Sequence, residues 1–226
     1  MITVKTNKNA YEVPTNFDEL TWNKYVALVN VSDGNIIERL KVATGITEDE
    51  LLELSITDLK TIAEISCYTD ILFVAEKYGG IELDINIGKE TYGKLELARQ
   101  AIIQSGSWVK AAQKVGLVYL NEDISEYQLP LAMAKIKTVF ELLNEFLTKF
   151  KKLYEGETEA EEELAGVEVF RRFGSFPTID RLAITYGITH DEVLEMPAEI
   201  VYTKLLYDLE SSEYQEKLHK IKSAIK

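Results

Sequence analysis

The chain holds one cysteine, Cys67, among 226 residues. A single thiol excludes an intramolecular disulfide and a thiolate-built metal cluster. Its setting, "IAEISCYTDILFVA", is an apolar helical run in which a free thiol packs as a small hydrophobe. Histidine is nearly as scarce: His190 and His219 each lack a partner at the spacing that a three- or four-ligand metal site requires. No glycine-rich phosphate loop occurs, since "GKET" at 88–91 lacks the upstream glycine of a P-loop. A Gly-x-Ser-x-Gly elbow is missing too, and Cys67 has no histidine base in reach of the pattern. These absences predict no catalytic residue, no metal, no cofactor and no enzymatic activity. Long apolar runs are also lacking. The longest, "ILFVA" at 71–75, falls far short of the roughly 18–20 residues that span a bilayer, and the amino terminus is not of signal-peptide type. The expected location is cytosolic, or in a particle assembled there.

Positive charge is in deficit. Twenty-five basic against 38 acidic residues give −13, a surface that repels phosphates and anionic membranes. The densest basic stretches, "KFKK" and "KLHKIKSAIK", lie on helical patterns with acidic neighbours. Nucleic acid is therefore not an expected partner. With 46% hydrophobic and 28% charged residues the composition is that of a folded protein, large enough for one domain or two small ones.

One decamer is present almost twice. "GITEDELLEL" at 45–54 and "GITHDEVLEM" at 187–196 share seven letters at a separation of 142. Each starts with a glycine suited to a left-handed helix exit and continues with Thr-x-x-Glu, the capping-box spacing. Thr47 with Glu50, and Thr189 with Glu192, are thus read as structural caps that end one helix and begin the next. Neighbouring acids add favourable charge at the helix start. After the first copy Leu51, Leu52 and Leu54 are expected in a core, and Ser55 starts another helix. Pro197 takes that place after the second copy. Catalytic use of Glu50 and Glu192 would need burial or close like charge to perturb them, and first-turn carboxylates are ordinarily exposed.

Periodicity fills in the remainder. Alternation through Ile2, Val4, Tyr11 and Val13 around "NKN" reads as a β-hairpin ended by Pro14. Phe17, Leu20, Trp22, Tyr25, Val26 and Val29 follow a helical period, capped by Asp18 or Thr21. Helices are predicted at "NIIERLKVATG", "ITDLKTIAEISCYTDILFVAEKYG", "KLELARQAIIQSG", "SWVKAAQKVG" (ending at Gly116) and "PTIDRLAITYG", with an extended crossing over "IELDINIG". A helix of about 27 residues at "LPLAMAKIKTVFELLNEFLTKFKKLYEG" carries Leu131, Met133, Ile136, Val139, Phe140, Leu143, Phe146, Leu147 and Phe150 as one stripe. The fold class is mainly α with a short amino-terminal β-hairpin (α+β), multi-helical, in two lobes. The expected divisions are a hairpin and helical lobe at 1–80, a middle helical region at 81–154, an acidic linker "EGETEAEEE" at 155–163 and a carboxy-terminal helical lobe at 164–226.

Two further stretches invite a functional reading. "SGSWVKAAQKVGLVYL" has the small-residue pair and Val-Gly turn of a DNA-binding helix-turn-helix near 107–120, but the acidic sequence after it opposes phosphate contact. "RRFGSFPTIDRLA" sets Arg171 and Arg172 beside Phe173 and Phe176, where the arginines either pair with preceding glutamates or dock on an acidic partner.

The order "TVKTNKNAYEVP…FDELTWNKYVALVNV…VATGITEDELLEL" resembles tail and baseplate assembly proteins, the tail assembly chaperones, of tailed bacteriophages. The matching positions are Tyr11, Val13, Leu20, Thr21, Trp22, Tyr25, Leu28, Gly45, Thr47, Glu50 and Leu54, covering roughly the first ninety residues; "IGKETYGKLELA" and "FGSFPTIDRLA…VLEMPAEIVYTKLLY" resemble phage structural proteins more weakly. The resemblance implies a non-enzymatic morphogenesis protein of the host cytoplasm, with the virion as a second location. Its partners would be other phage structural proteins or copies of itself in an oligomer or ring, with no membrane. The candidate partner-binding residues are Trp22, Tyr25, Phe140, Phe146, Phe150, Arg171, Arg172, Phe173 and Phe176, in keeping with 22 aromatic residues, a type favoured at interfaces. A head–tail connector or tail-ring subunit, and a nucleic-acid-directed factor using the helix-turn-helix, are the alternatives.

Overall fold

The computed structural model describes residues 2–14, 17–31, 36–55, 57, 59, 81–106, 108–154 and 172–224. Cys67, Arg171, the acidic stretch 155–163 and most of the helix expected after Ser55 lie outside them. The described chain is mainly helical with one two-stranded antiparallel hairpin, β1 (Ile2–Lys5) and β2 (Ala10–Val13), paired Ile2 to Val13 and Val4 to Tyr11. It divides into two compact units, each made from two stretches: Met1–Leu83 with Ala101–Val139, and Asp84–Gln100 with Phe140–Lys226. Division at consecutive boundaries, as read from the sequence, does not describe this threading.

The first unit holds the hairpin, α1 (Trp22–Asn30), α2 (Ile36–Thr44), α3 (Glu48–Leu52) and α5 (Trp108–Leu120), with the ends of α4 (Tyr92–Gln104) and α6 (Leu129–Lys149) that fall within it. Thr21 caps α1 by accepting the Lys24 amide. Gly45 leaves α2 at φ 78°, where a residue without Cβ is favoured. Val4 and Val13 of the hairpin pack with Leu40, Ile46 and Leu51. Leu54 packs against that cluster, but Leu52 is 70% exposed, because a five-residue helix turns only one face inward. Leu131, expected in the stripe of α6, is likewise exposed, whereas Met133, Ile136 and Val139 are buried.

The helix predicted to stop at Gly116 continues to Leu120, so the turn of a helix-turn-helix is absent there. Gly116 serves packing: a Cβ on it would lie 3.3 Å from Cδ1 of Ile124. Val115, the other residue of the expected turn, is fully buried.

The second unit holds α7 (Phe176–Tyr186), α8 (His190–Glu195) and α9 (Ala198–Ala224), with the parts of α4 and α6 that belong to it. Gly187, at φ 65°, ends α7. Thr189 and Glu192 then form the full capping box: Oγ1 of Thr189 accepts the Glu192 amide, and the Glu192 carboxylate accepts the Thr189 amide at 2.8 Å.

Both units contain the same backbone clasp, which the sequence reading missed. In the first, Thr21 pairs with Gln128; Trp22 N–H donates to Tyr127 C=O at 2.9 Å and Leu129 N–H to Leu20 C=O at 2.7 Å. In the second, Thr91 pairs with Pro197; Tyr92 N–H donates to Met196 C=O at 2.7 Å and Ala198 N–H to Glu90 C=O at 2.8 Å. Thr91 also accepts the Lys94 amide, as Thr21 accepts that of Lys24. "TWNKYVAL" and "TYGKLELA" are the matching helix starts, with Trp22, Tyr25 and Leu28 buried in one and Tyr92, Leu95 and Ala98 in the other. Each clasp ties the start of one helix to the start of another distant in sequence, so the orphan amides there are satisfied by backbone rather than water.

Candidate functional site

The two caps differ in environment. Thr47 accepts the Glu50 amide, but Glu50 does not close a capping box as expected. Its carboxylate turns to the hairpin, where Tyr11 donates to Oε2 at 2.7 Å, Thr6 to Oε1 at 2.9 Å and Asn9 to Oε1 at 3.1 Å; Thr47 Oγ1 adds a bond of 2.7 Å to Oε2. Glu50 is thus buried, at 3% exposure, against the expectation of an exposed first-turn acid. The Tyr11 and Thr47 hydrogen bonds outweigh burial and bring its pKa down to about 2. A carboxylate held ionised by four neutral donors is a poor proton donor or acceptor at neutral pH, the reverse of a raised general acid. Glu50 is a structural pin between hairpin and α3.

Of the candidate partner-binding residues, Trp22 and Tyr25 are buried at 0% and 1% in the first unit, so the clasp that starts α1 also removes them from any partner's reach. Phe146 and Phe150 are buried too, at 5% and 7%, and Phe140 is half-buried. Phe173 and Phe176 are exposed at 45% and 50%, and Arg172 lies over the Phe173 ring at 4.7 Å.

Phe146 and Phe150 are inside because they pack on Tyr202, a buried residue near the start of α9. Their centroids lie 5.4 and 5.3 Å from its ring, and Tyr92 and Tyr154 stand at 6.2 and 6.4 Å. Edge and tilted geometries of this kind are the favourable ones for aromatic clusters. Tyr154 Oη donates to Tyr202 Oη at 2.7 Å.

Beside this cluster the second unit has a cavity of about 420 Å³, walled by Tyr92, Tyr154 and Tyr202, by Glu96 and Arg99 of α4, and by Arg181 and Asp208. Two of the five arginines in an acidic chain therefore face one cavity. Arg99 places Nε and Nη2 at 3.3 and 3.2 Å from the same oxygen, Oε2 of Glu96. Burial alone would lower the Arg99 pKa, but Glu96, with the neighbouring tyrosines, leaves it raised. Arg181 and Asp208 approach only to 3.9 Å. Burial pushes the hydroxyls of Tyr92, Tyr154 and Tyr202 upward, so all three stay protonated at neutral pH. The cavity therefore offers flat aromatic walls, hydroxyl groups that both donate and accept, and guanidinium nitrogens. Such a lining suits binding a polar or aromatic group. Gly174 and Ser175 also line it, next in sequence to Phe173 and Phe176, and Tyr154 in its wall is 50% exposed.

The sequence reading did not single out Tyr92, Glu96, Arg99 or Tyr202. Their signal was present in "TYGKLELAR", where Tyr92, Glu96 and Arg99 are spaced four and three apart on one helix face. Among the described residues no group of three or more His, Cys, Asp or Glu side chains is placed to hold a metal ion, and no helix is long and apolar enough to cross a membrane. Comparison with known protein families, with curated proteins and with solved structures finds no match to the chain.

Proposed function

We propose that the chain is a non-enzymatic morphogenesis protein of a tailed bacteriophage that works through protein–protein contacts in building the tail or baseplate, as a chaperone-like factor in the host cytoplasm. The observation carrying this reading is the surface of the second unit, where exposed Phe173, Phe176 and Tyr154 lie with Arg172 beside or in the wall of a cavity of tyrosines and arginines. Aromatic and arginine side chains are the types that dominate binding energy between proteins. The phage setting rests on the order of motifs through Tyr11, Trp22, Gly45 and Glu50.

In an infection supported only by the Phe173→Ala, Phe176→Ala double variant, assembled tails should fall sharply while the variant accumulates at normal level. Unchanged tail yield would overturn the reading. Mass spectrometry of purified particles separates the roles: a chaperone is absent from them, whereas a connector or ring subunit is retained in fixed copy number. Lack of DNA binding at low salt would remove the nucleic-acid alternative, which the uninterrupted α5 already leaves without its turn.

A further inference from the structure

Helix α9 has two faces. Ala198, Val201 and Tyr202 are buried, with Leu205 and Leu209 half-buried behind them in the same direction. On the opposite side Ile200, Tyr207, Tyr214 and Ile221 recur every seven residues, each between 51% and 64% exposed. Lys204, Ser211 and Leu218 fall between them at alternating steps of four and three. A seven-residue repeat held over three turns of the pattern is the seam of a coiled coil, whereas burial against the chain's own globular unit follows the other face. Of residues 214–223 only Leu218 is even half-buried. A helical segment of that length with so little packing among the described residues is marginal in water.

We propose that this stripe pairs with the same stripe of a second copy of the chain, the two helices running antiparallel. Charge selects the partner and the direction. Asp208, Glu210, Glu213 and Glu216 occupy the first half of the exposed stretch; Lys217, Lys220 and Lys222 follow with no acid among them. Head-to-tail pairing sets the acidic half of each helix against the basic half of its partner. With Tyr214 packed on Ser211 of the other copy, large meets small at the centre, and Tyr207 meets Leu218 on either side. Glu210 then faces Lys217 across the seam, twice. A parallel pair would instead bring Lys217 toward Lys222 of the other copy, like against like. Within the protomer Lys152 already stands 3.5 Å from Glu210 and 3.0 Å from Glu213, and Glu210 keeps 58% of its side chain exposed for a further cation. Lys204, the one charge within the seam, is held by Asp208 at 2.6 Å and lies over the Tyr207 ring, near the end of the pairing where its ammonium reaches water. This pairing stands apart from the tail-assembly reading and from the cavity, and does not need either.

Sedimentation equilibrium of the full chain tests it. The unaltered protein should show a monomer–dimer equilibrium that Tyr214→Glu weakens by about tenfold or more. Lys217→Glu and Glu210→Lys should each weaken association alone, and mixing the two variants should restore it, since each then meets its opposite charge. Circular dichroism of each variant checks that the helices persist. A chain that stays monomeric at high concentration, a dimer indifferent to Tyr214→Glu, or a mixture no tighter than its components would each overturn the proposal. Stronger association of Lys217→Glu by itself would show a parallel pair and overturn it as well.

Discussion

Glu50 shows how much one side chain's role depends on residues far from it. Its sequence neighbours make it a cap, yet its hydrogen bonds come from Tyr11, Thr6 and Asn9 on the hairpin. The folded protein holds the carboxylate near a pKa of about 2, below its ordinary 4.5. Folding is therefore stabilised by the ionised form above about pH 4.5, and this contribution is lost as pH falls from there toward 2. Urea unfolding as a function of pH should show that loss in the unaltered chain. Glu50→Gln should be less stable at pH 7, by several degrees of melting temperature, and should lack that portion of the acid dependence. Glu192 is exposed and, among the described residues, accepts only from Thr189, so Glu192→Gln should move both quantities less. Equal effects at the two positions would contradict the pin assigned to Glu50.

At the scale of elements, the joints are local grammar. Gly45 and Gly187 end α2 and α7 at positive φ with nothing near the place of a missing Cβ, so backbone strain alone opposes a side chain. Gly187→Ala and Gly45→Ala should each cost about 1 kcal/mol in chemical unfolding. Gly116 offers the contrast. It lies inside α5 with ordinary helical backbone, so the helix propensity alanine gains is offset by its Cβ pressing on Cδ1 of the buried Ile124 at 3.3 Å. Gly116→Ala should fall within about 0.5 kcal/mol of the unaltered chain. The glycine exits, the Thr-x-x-Glu starts and the alternation of Val4 and Val13 were legible because each is settled within a few residues. The burial of Trp22 and Tyr25 was not. Their face is decided by the clasp to residues 125–129, a hundred positions away, and an amphipathic stripe looks the same whether the chain or a partner covers it. For the same reason the sequence offers Phe146 and Phe150 as partner contacts, although they pack on each other and on Tyr202. The deeper repeat was hidden because Thr21-Trp22 and Thr91-Tyr92 share two roles and only one letter.

For the whole molecule, the division into units predicts which pieces of the chain fold. A fragment of residues 1–80, the hairpin and helical lobe expected from the sequence, lacks Tyr127 and Leu129, which hold the start of α1, and lacks all of α5. It should give little cooperative unfolding in circular dichroism. A fragment of residues 1–139 contains every part of the first unit and should unfold as a cooperative unit. Cooperative folding of the shorter piece would show that the clasp is dispensable.

The threading of α4 sets an order on events during synthesis. Tyr92 emerges from the ribosome well before its partners: Met196, whose carbonyl accepts its amide, and Tyr202, whose ring packs against its own, are made more than half the remaining chain later. Through that interval the start of α4 has neither its backbone partner nor its ring contact, and a slow codon or a stalled ribosome between the two would prolong the exposure of Tyr92.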